Sequence, residues 1–344
     1  MDSLSQILLG AGIAAAIAPA RHRRAALAAG AALGTLPDLD SLLLWPLGLD
    51  PVMNMTWHRG PSHSLFVLLP LAALIWAALR RSGGRVAEAP RRWFWAITLA
   101  LLTHPLLDGL TVYGTQLWWP LPGSPVMGSS LFIIDPLYTL PLLAGFLVAL
   151  VRGWRPVAQR ALVLGLALST AYIGWSLVAK AMVERQAERS LAAMGLGDEP
   201  RFSVPMPLNT LLWRVVVMTP DGYLEGEWSV VADSAPMRFR EHRTDIRARE
   251  GAAGFAAVRR LLWFNRGFMK FEAHDDELVV SDLRMGVEPD YVFNFVVAER
   301  DGADGTWREV RPRQLQWPRQ VTRRLAGVWP RIWTPGAEAE EATR

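Results

Sequence analysis

The sequence predicts a membrane α-helical bundle of about six transmembrane segments followed by a C-terminal, extracytoplasmic, mainly-β domain. Three observations predict it. Long apolar runs fill the first 180 of the 344 residues. Arginine clusters alternate with those runs. From about residue 200 onward the chain reads as an ordinary water-soluble sequence, so the mean hydropathy of +0.17 averages two unlike halves.

Six candidate spans lie near 3–20, 24–49, 63–80, 92–112, 131–151 and 158–179. Each approaches the length needed to cross about 30 Å of hydrocarbon. The second is interrupted by Pro37 and carries Asp38 and Asp40. A lipid-facing helix of that composition is expensive, so the break is expected to line a protein interior or a water-filled cavity. Met1-Asp2-Ser3 precedes the first apolar run and Arg21-His22-Arg23-Arg24 follows it. A signal peptide has the reverse arrangement, so the first segment is expected to be retained with its N-terminus outside.

Charge orients the bundle. Arg21, Arg23 and Arg24 join spans one and two; Arg80, Arg81, Arg85, Arg91 and Arg92 join three and four; Arg152, Arg155 and Arg160 join five and six. These loops are expected to be cytoplasmic. Loops 50–62 and 113–130 carry a single basic residue, Arg59, and belong outside, as does everything after six crossings. Read this way the arginines are topology signals, and no zinc-finger or basic-helix pattern points to nucleic acid. The absence of cysteine excludes disulfides, thiolate metal sites and cysteine nucleophiles.

The expected divisions are 1–180 for the transmembrane part, 181–199 for a charged linker helix, 200–330 for the β-rich domain and 331–344 for a flexible tail rich in Ala and Glu. Strand-like runs fall at Leu211–Thr219, Tyr223–Val231, Ala257–Phe264, Glu277–Leu283 and Tyr291–Ala298, with Asp275-Asp276 as a turn between strands. Trp45, Trp57, Trp118 and Trp119 read as an interfacial belt. Gly10, Gly30 and Gly34 read as sites of close helix packing.

Polar residues interrupt the apolar half in a few short pieces: Leu36-Pro37-Asp38-Leu39-Asp40, His58-Arg59-Gly60-Pro61-Ser62-His63-Ser64, His104-Pro105-Leu106-Leu107-Asp108 and Asp135-Pro136, with Asp2 as a further contribution. Counted along each helix from its basic end, Asp2, Asp38, His63, His104, Asp108 and Asp135 fall at heights of about 18 to 28 Å. Five spans therefore deliver an acid or imidazole to one layer near the outer face. His104 and Asp108 are i,i+4 and share a helical face. Asp38 and Asp40 are i,i+2, so a turn after Pro37 either brings both to the site or leaves one to orient a ligand. His58 and His63 flank a Gly-Pro turn that can fold both inward.

Crowded carboxylates at low dielectric repel one another unless protons or cations offset them. Imidazoles and carboxylates together suit one or two divalent ions, zinc first among them. The candidate metal ligands are Asp38, Asp40, His58, His63, His104 and Asp108, then Asp2 and Asp135. N-capping competes with ligation at Asp135, which precedes a proline at a span start. The candidate catalytic residues are Asp40, His63, Asp108 and Arg59, the last as an anion clamp whose fork matches phosphate or carboxylate.

These motifs, in this order, resemble the bacterial and archaeal membrane-bound, metal-dependent hydrolases of the YdjM type. The resemblance covers residues 1–150, and Asn209-Thr210-Leu211-Leu212-Trp213-Arg214 resembles the extension of longer members. It implies an inner-membrane hydrolase with bound metal at Asp38, Asp40, His58, His63, His104 and Asp108. Many members have Thr-His where this chain has Ser5-Gln6, which lowers the support for Asp2 as a ligand. The expected activity is hydrolysis of a phosphoester or other ester of a lipid-like or amphipathic substrate through metal-activated water, with membrane lipid as partner. The competing functions are a divalent-cation transporter or sensor, and a scaffold with a structural metal.

Overall fold

The computed structural model describes residues 1–300, 302, 305–316 and 321–336, without the side chains of 321–325. It divides into two compact units, one of residues 1–46, 57–128 and 133–176, the other of 47–56, 129–132 and 177 onward.

The first unit is helical, and every apolar run forms a helix. Run one is α1 (Ser3–Ile17), capped by Asp2, whose carboxylate accepts the Ser5 N–H. Run two starts as α2 (Arg23–Thr35), tightens into a 3₁₀ turn at Leu36–Leu39 containing Pro37, and resumes as the short α3 (Asp40–Leu44). After α4 (Pro51–Trp57), which belongs to the second unit up to Thr56, run three is α5 (Leu65–Arg81), capped by Ser64. The short α6 (Gly84–Glu88) leads into α7 (Pro90–Asp108) for run four. Runs five and six are α8 (Pro136–Arg152) and α9 (Pro156–Ala193).

Among the described residues two helical stretches are long and apolar enough to cross a bilayer, Ala20–Leu47 and Pro156–Ala193, and a third if Pro51–His63 and Leu65–Arg81, which meet at 50°, form one broken span. α1 and α8 are apolar but shorter. α1 packs against α2, α7 and α8. Glycine makes the first contact possible. A Cβ at Gly10 would lie 2.4 Å from the Gly30 carbonyl oxygen, one at Gly30 2.3 Å from that of Gly10, and one at Gly34 2.5 Å from that of Gln6. The surrounding core is small and aliphatic: Ala11, Ala14, Ala15, Ala26, Leu27 and Ile97 are all buried.

α9 corrects the expectation of a separate linker helix at 181–199. It runs unbroken for 38 residues, about 57 Å, well beyond the thickness of a bilayer core. Its later part carries Ala179, Val183, Ala187 and Leu191 at i,i+4 spacing, all buried against Trp213, Val215, Val217 and Leu224.

The second unit holds two four-stranded antiparallel sheets. One has the order β1 (Arg201–Pro205), β2 (Leu212–Thr219), β3 (Gly222–Ser229), β4 (Phe239–Arg243). Two helices follow, α10 (Ile246–Ala252) and α11 (Ala256–Asn265). The other sheet is built from β5 (Met269–His274), β6 (Glu277–Asp282), β9 (Asn294–Glu299) and β10 (Arg308–Gln314), in the order β10-β9-β6-β5. A small ribbon of β7 (Gly286–Val287) and β8 (Asp290–Tyr291) lies between β6 and β9 in the chain. Asp275, at φ 52°, turns β5 into β6 as the acidic pair predicts.

Residues 257–264 are helix α11, which overturns the strand reading there. Ala257, Val258, Leu261 and Phe264 are buried at helical spacing while Leu262 is exposed. The last helix among the described residues is α12 (Val321–Trp333), where Ile332 is buried beside Met206 and Leu212. The helix occupies the start of the segment expected as a tail; residues 337–344 lie outside those described.

Candidate metal centre

Four side chains from three motifs converge in the helical unit: Asp38, His63, His104 and Asp108. Their ligand atoms all lie within 4.8 Å of one another. His63 Nε2 and His104 Nε2 are 3.1 Å apart. Asp38 Oδ1 is 3.4 Å from each of those nitrogens. Asp108 Oδ2 is 3.3 Å from His63 Nε2 and 3.5 Å from His104 Nε2. A tetrahedral ion with nitrogen and oxygen ligands at about 2.0–2.2 Å sets ligand separations of roughly 3.3–3.6 Å. Four of the six edges fall in that range, and the edge between the two imidazole nitrogens, at 3.1 Å, lies just below it.

The local folds explain the convergence. Pro37 sits in the 3₁₀ turn that ends α2, and this turn aims Asp38 and Asp40 in different directions. Asp38 reaches the two imidazoles, while Asp40 reaches His58 and Ser62. Arg59, at φ 61°, and Gly60 reverse the chain, and a 3₁₀ turn at Pro61–His63 carries His63 inward before α5 begins. A Cβ at Gly60 would stand 2.8 Å from the Trp57 carbonyl oxygen. α7 continues through Pro105 and keeps His104 and Asp108 on one face.

Hydrogen bonds decide the tautomers. His104 Nδ1 donates to the Gly34 carbonyl at 2.6 Å, which leaves the lone pair on Nε2. The Ser62 hydroxyl gives its proton to Asp40 Oδ2 at 2.7 Å and so accepts from His63 Nδ1 at 2.9 Å. The His63 lone pair is therefore also on Nε2. Asp38 Oδ1 and Asp108 Oδ2 are buried atoms with no hydrogen-bond partner among the described residues. Four electron-pair donors thus face one point. A single proton bridges one pair of them; a divalent ion at their centre satisfies all four, so the residues fit a metal.

The other predicted residues surround this cluster. Asp40 lies outside the four-atom set; its carboxylate accepts from His58 Nδ1 at 2.8 Å, Ser62 Oγ at 2.7 Å and the Arg59 backbone N–H at 3.1 Å. His58 is held by Asp40 and stacks edge-on to Tyr113. Arg59 is buried, with Nε 3.2 Å from Asp108 Oδ2, Nη1 donating to Thr111, and its guanidinium over the Tyr113 ring. Asp2 and Asp135 lie outside the four-atom set and serve as caps of α1 and α8; Asp135 also accepts from Tyr172 at 2.9 Å. Gln6 Nε2 donates to Asp108 Oδ1 at 3.0 Å, and the amino group of Met1 donates to that oxygen too.

Sequence reasoning passed over Ser62, Thr111, Tyr113 and the Gly34 carbonyl. Ser62 stood inside a quoted motif, between Asp40's partner and His63, and that placement was its one visible signal.

A match to the YdjM inner membrane protein family spans residues 1–183 and includes every residue of the cluster. The chain belongs to that family. The inner membrane protein YbcI of Escherichia coli (strain K12) is 34% identical over 121 residues, 34% of this chain and 63% of the relative. The chain thus spans less than two thirds of that curated relative's length. No solved structure matches. The family membership supports an inner-membrane location for the chain.

Proposed function

We propose that this protein is a metal-dependent hydrolase of the inner membrane, acting on a phosphoester or other ester of a lipid-like or amphipathic substrate. The observation that supports it best is the convergence of two imidazole lone pairs and two buried carboxylate oxygens that accept no hydrogen bond among the described residues. Zinc is the preferred ion for that donor set. When bound, a divalent ion polarises a phosphoryl or carbonyl oxygen and acidifies water.

The chain's own residues divide the remaining work. His63, His104 and Asp108 are buried and form the inner ligands. Asp38 is the ligand on the open side, with 22% of its side chain exposed, and accepts the proton of the attacking water. Asp40 is a positioning residue that orients His63 through Ser62. Arg59 holds Asp108 and adds the positive charge that draws an anionic substrate. The arginine-rich loops face the cytoplasm and the chain crosses six times, so the site opens near the outer face and the β-rich unit is extracytoplasmic.

A second reading, a structural ion, is favoured by one feature: four protein donors already complete a tetrahedron. The test is purification in detergent, metal analysis, and a screen of phospholipids and phosphodiesters. His104→Ala is expected to lose the ion and turnover together. Asp38→Asn is expected to keep the ion and lower kcat by about 10²–10⁴-fold. Bound zinc with no turnover of any ester supports the structural ion, and turnover undiminished in the metal-free protein sinks both readings.

A further inference from the structure

At the other end of α1 and α8 from the metal cluster, a cavity of about 500 Å³ opens between the α1–α2 turn and the α8–α9 turn. Arg21, Arg24, Arg152 and Arg155 line it, together with Gly153 and Trp154. Arginines at a helix C-terminus often do no more than satisfy carbonyl oxygens. Here two neighbours already do that. Arg23 donates to the carbonyls of Gly153 at 2.8 Å and Arg155 at 3.4 Å, and to Gln159 at 2.6 Å. Arg24 donates to those of Leu150 at 3.1 Å and Val151 at 3.2 Å. Arg21 pairs with Glu88 at 2.8 Å.

Arg152 and Arg155 have no side-chain hydrogen bond or ion pair among the described residues. Charge bias for topology needs cations in the loop, but it needs no cavity lined by four arginines. The surroundings identify the missing partner. Val151 is 70% exposed and Trp154 74%, and Leu150 and Val157 are also exposed beside the basic mouth. Exposed aliphatic side chains at the end of a membrane helix meet acyl chains, and tryptophan sits at headgroup level. Guanidinium forks match phosphate oxygens. Basic pockets between membrane helices on the cytoplasmic side are suited to anionic headgroups.

We propose that this cavity binds the phosphate-bearing headgroup of an anionic glycerophospholipid, with its acyl chains along the exposed ends of α8 and α9. The site is independent of the metal cluster and of any reaction there.

The experiment uses the full chain in a neutral detergent, delipidated, with phosphatidylglycerol, phosphatidylcholine of the same acyl chains, or inorganic phosphate added. Retention is read by native mass spectrometry and stabilisation by thermal unfolding. Phosphatidylglycerol is expected to be retained and to raise Tm, whereas phosphatidylcholine and phosphate do neither. The double substitution Arg152→Gln/Arg155→Gln is expected to weaken phosphatidylglycerol binding about thirtyfold, roughly fivefold per arginine, with metal content unchanged. Equal retention of both lipids overturns the proposal, as does undiminished binding by a double variant that keeps its metal. An equal response to inorganic phosphate assigns the cavity to a soluble phosphate and overturns the lipid. The comparison of lipids on the unsubstituted protein decides the matter even where the double variant is not recovered.

Discussion

His63 and His104 present the same nitrogen to the cluster for different reasons. His104 is fixed by a main-chain carbonyl, that of Gly34, which no substitution removes. His63 is fixed by the Ser62 hydroxyl, which in turn depends on Asp40. The two imidazoles therefore differ in how easily they are disturbed. Ser62→Ala and Asp40→Asn are each expected to lower metal affinity by about 10–100-fold, read by competition with a chromophoric chelator. Asp40→Asn also frees His58, so its effect should be the larger; wild-type affinity in both variants would remove Asp40 and Ser62 from the account. In the β-rich unit, Glu288 lies under opposing influences. Burial raises its pKa, but hydrogen bonds from Lys270 and Tyr223 outweigh it and hold the carboxyl below its ordinary 4.5. A depressed folded pKa means stability that is fully present above 4.5 and lost as pH falls through the folded value. Glu288→Gln should flatten the acid limb of stability for the β-rich unit, followed by amide exchange in β7 and β8. An unchanged acid limb would mean that the Lys270 pair contributes nothing. At this scale the sequence was informative about chemistry and silent about direction. All four converging residues stood in visible motifs. Which of Asp38 and Asp40 faced the imidazoles depended on the pitch of a 3₁₀ turn, which residue spacing does not reveal. Thr111 and Tyr113 were invisible because a threonine or tyrosine in a loop is too common to signal anything.

Among the elements, the α1–α2 pair is the most exacting. Gly10, Gly30 and Gly34 put backbone against backbone, with Gly30's missing Cβ 2.3 Å from a carbonyl oxygen that cannot move aside. Ala14 and Ala11 close the same space. Gly30→Leu must therefore push the helices apart, at a cost of about 1–3 kcal/mol or more. Because α2 leads directly into the turn carrying Asp38, and Gly34 holds His104, metal retention should fall along with Tm. A normal Tm with bound metal would show that this contact is loose. The strands tell a complementary story. β2, β3, β6 and β9, the four read from sequence, are the inner strands of their sheets. β1, β4, β5 and β10, which were not read, are the edges. Inner strands such as Leu212–Thr219 are buried almost throughout and show as continuous apolar runs, whereas Phe239–Arg243 and Arg308–Gln314 carry the charges that keep an edge from pairing with another chain. α11 reads as a strand by composition. Its spacing, with Ala257, Val258, Leu261 and Phe264 buried, was helical from the start.

For the molecule as a whole, the side of the membrane that each loop occupies can be read with single introduced thiols. There is no native cysteine, so any thiol introduced is the only one present. Gly83 and Gly123 suit the purpose: each lies in a loop, and a Cβ at either meets nothing within 4 Å. These two and Gly195 have positive φ, where any L side chain is strained, so each cysteine variant is compared with the unsubstituted protein for yield and Tm before labelling. Gly83 follows Arg80 and Arg81, in the loop whose charge assigns it to the cytoplasm. Gly123 follows the tryptophans at 118 and 119, in a loop without a basic residue. Gly195, just past α9, reports on the segment that leads into the β-rich unit. In intact cells a membrane-impermeant maleimide should label Gly123→Cys and Gly195→Cys but leave Gly83→Cys unmodified until the membrane is opened. The six-crossing reading demands that Gly123→Cys and Gly195→Cys behave alike, since two crossings, α8 and α9, separate them. Labelling of one but not the other would leave an odd number of crossings between them and reduce α8, the shorter apolar helix, or α9 to something other than a span. The β-rich unit would then face the opposite side from the metal cluster, and the proposal that it stands outside the cytoplasm would fall.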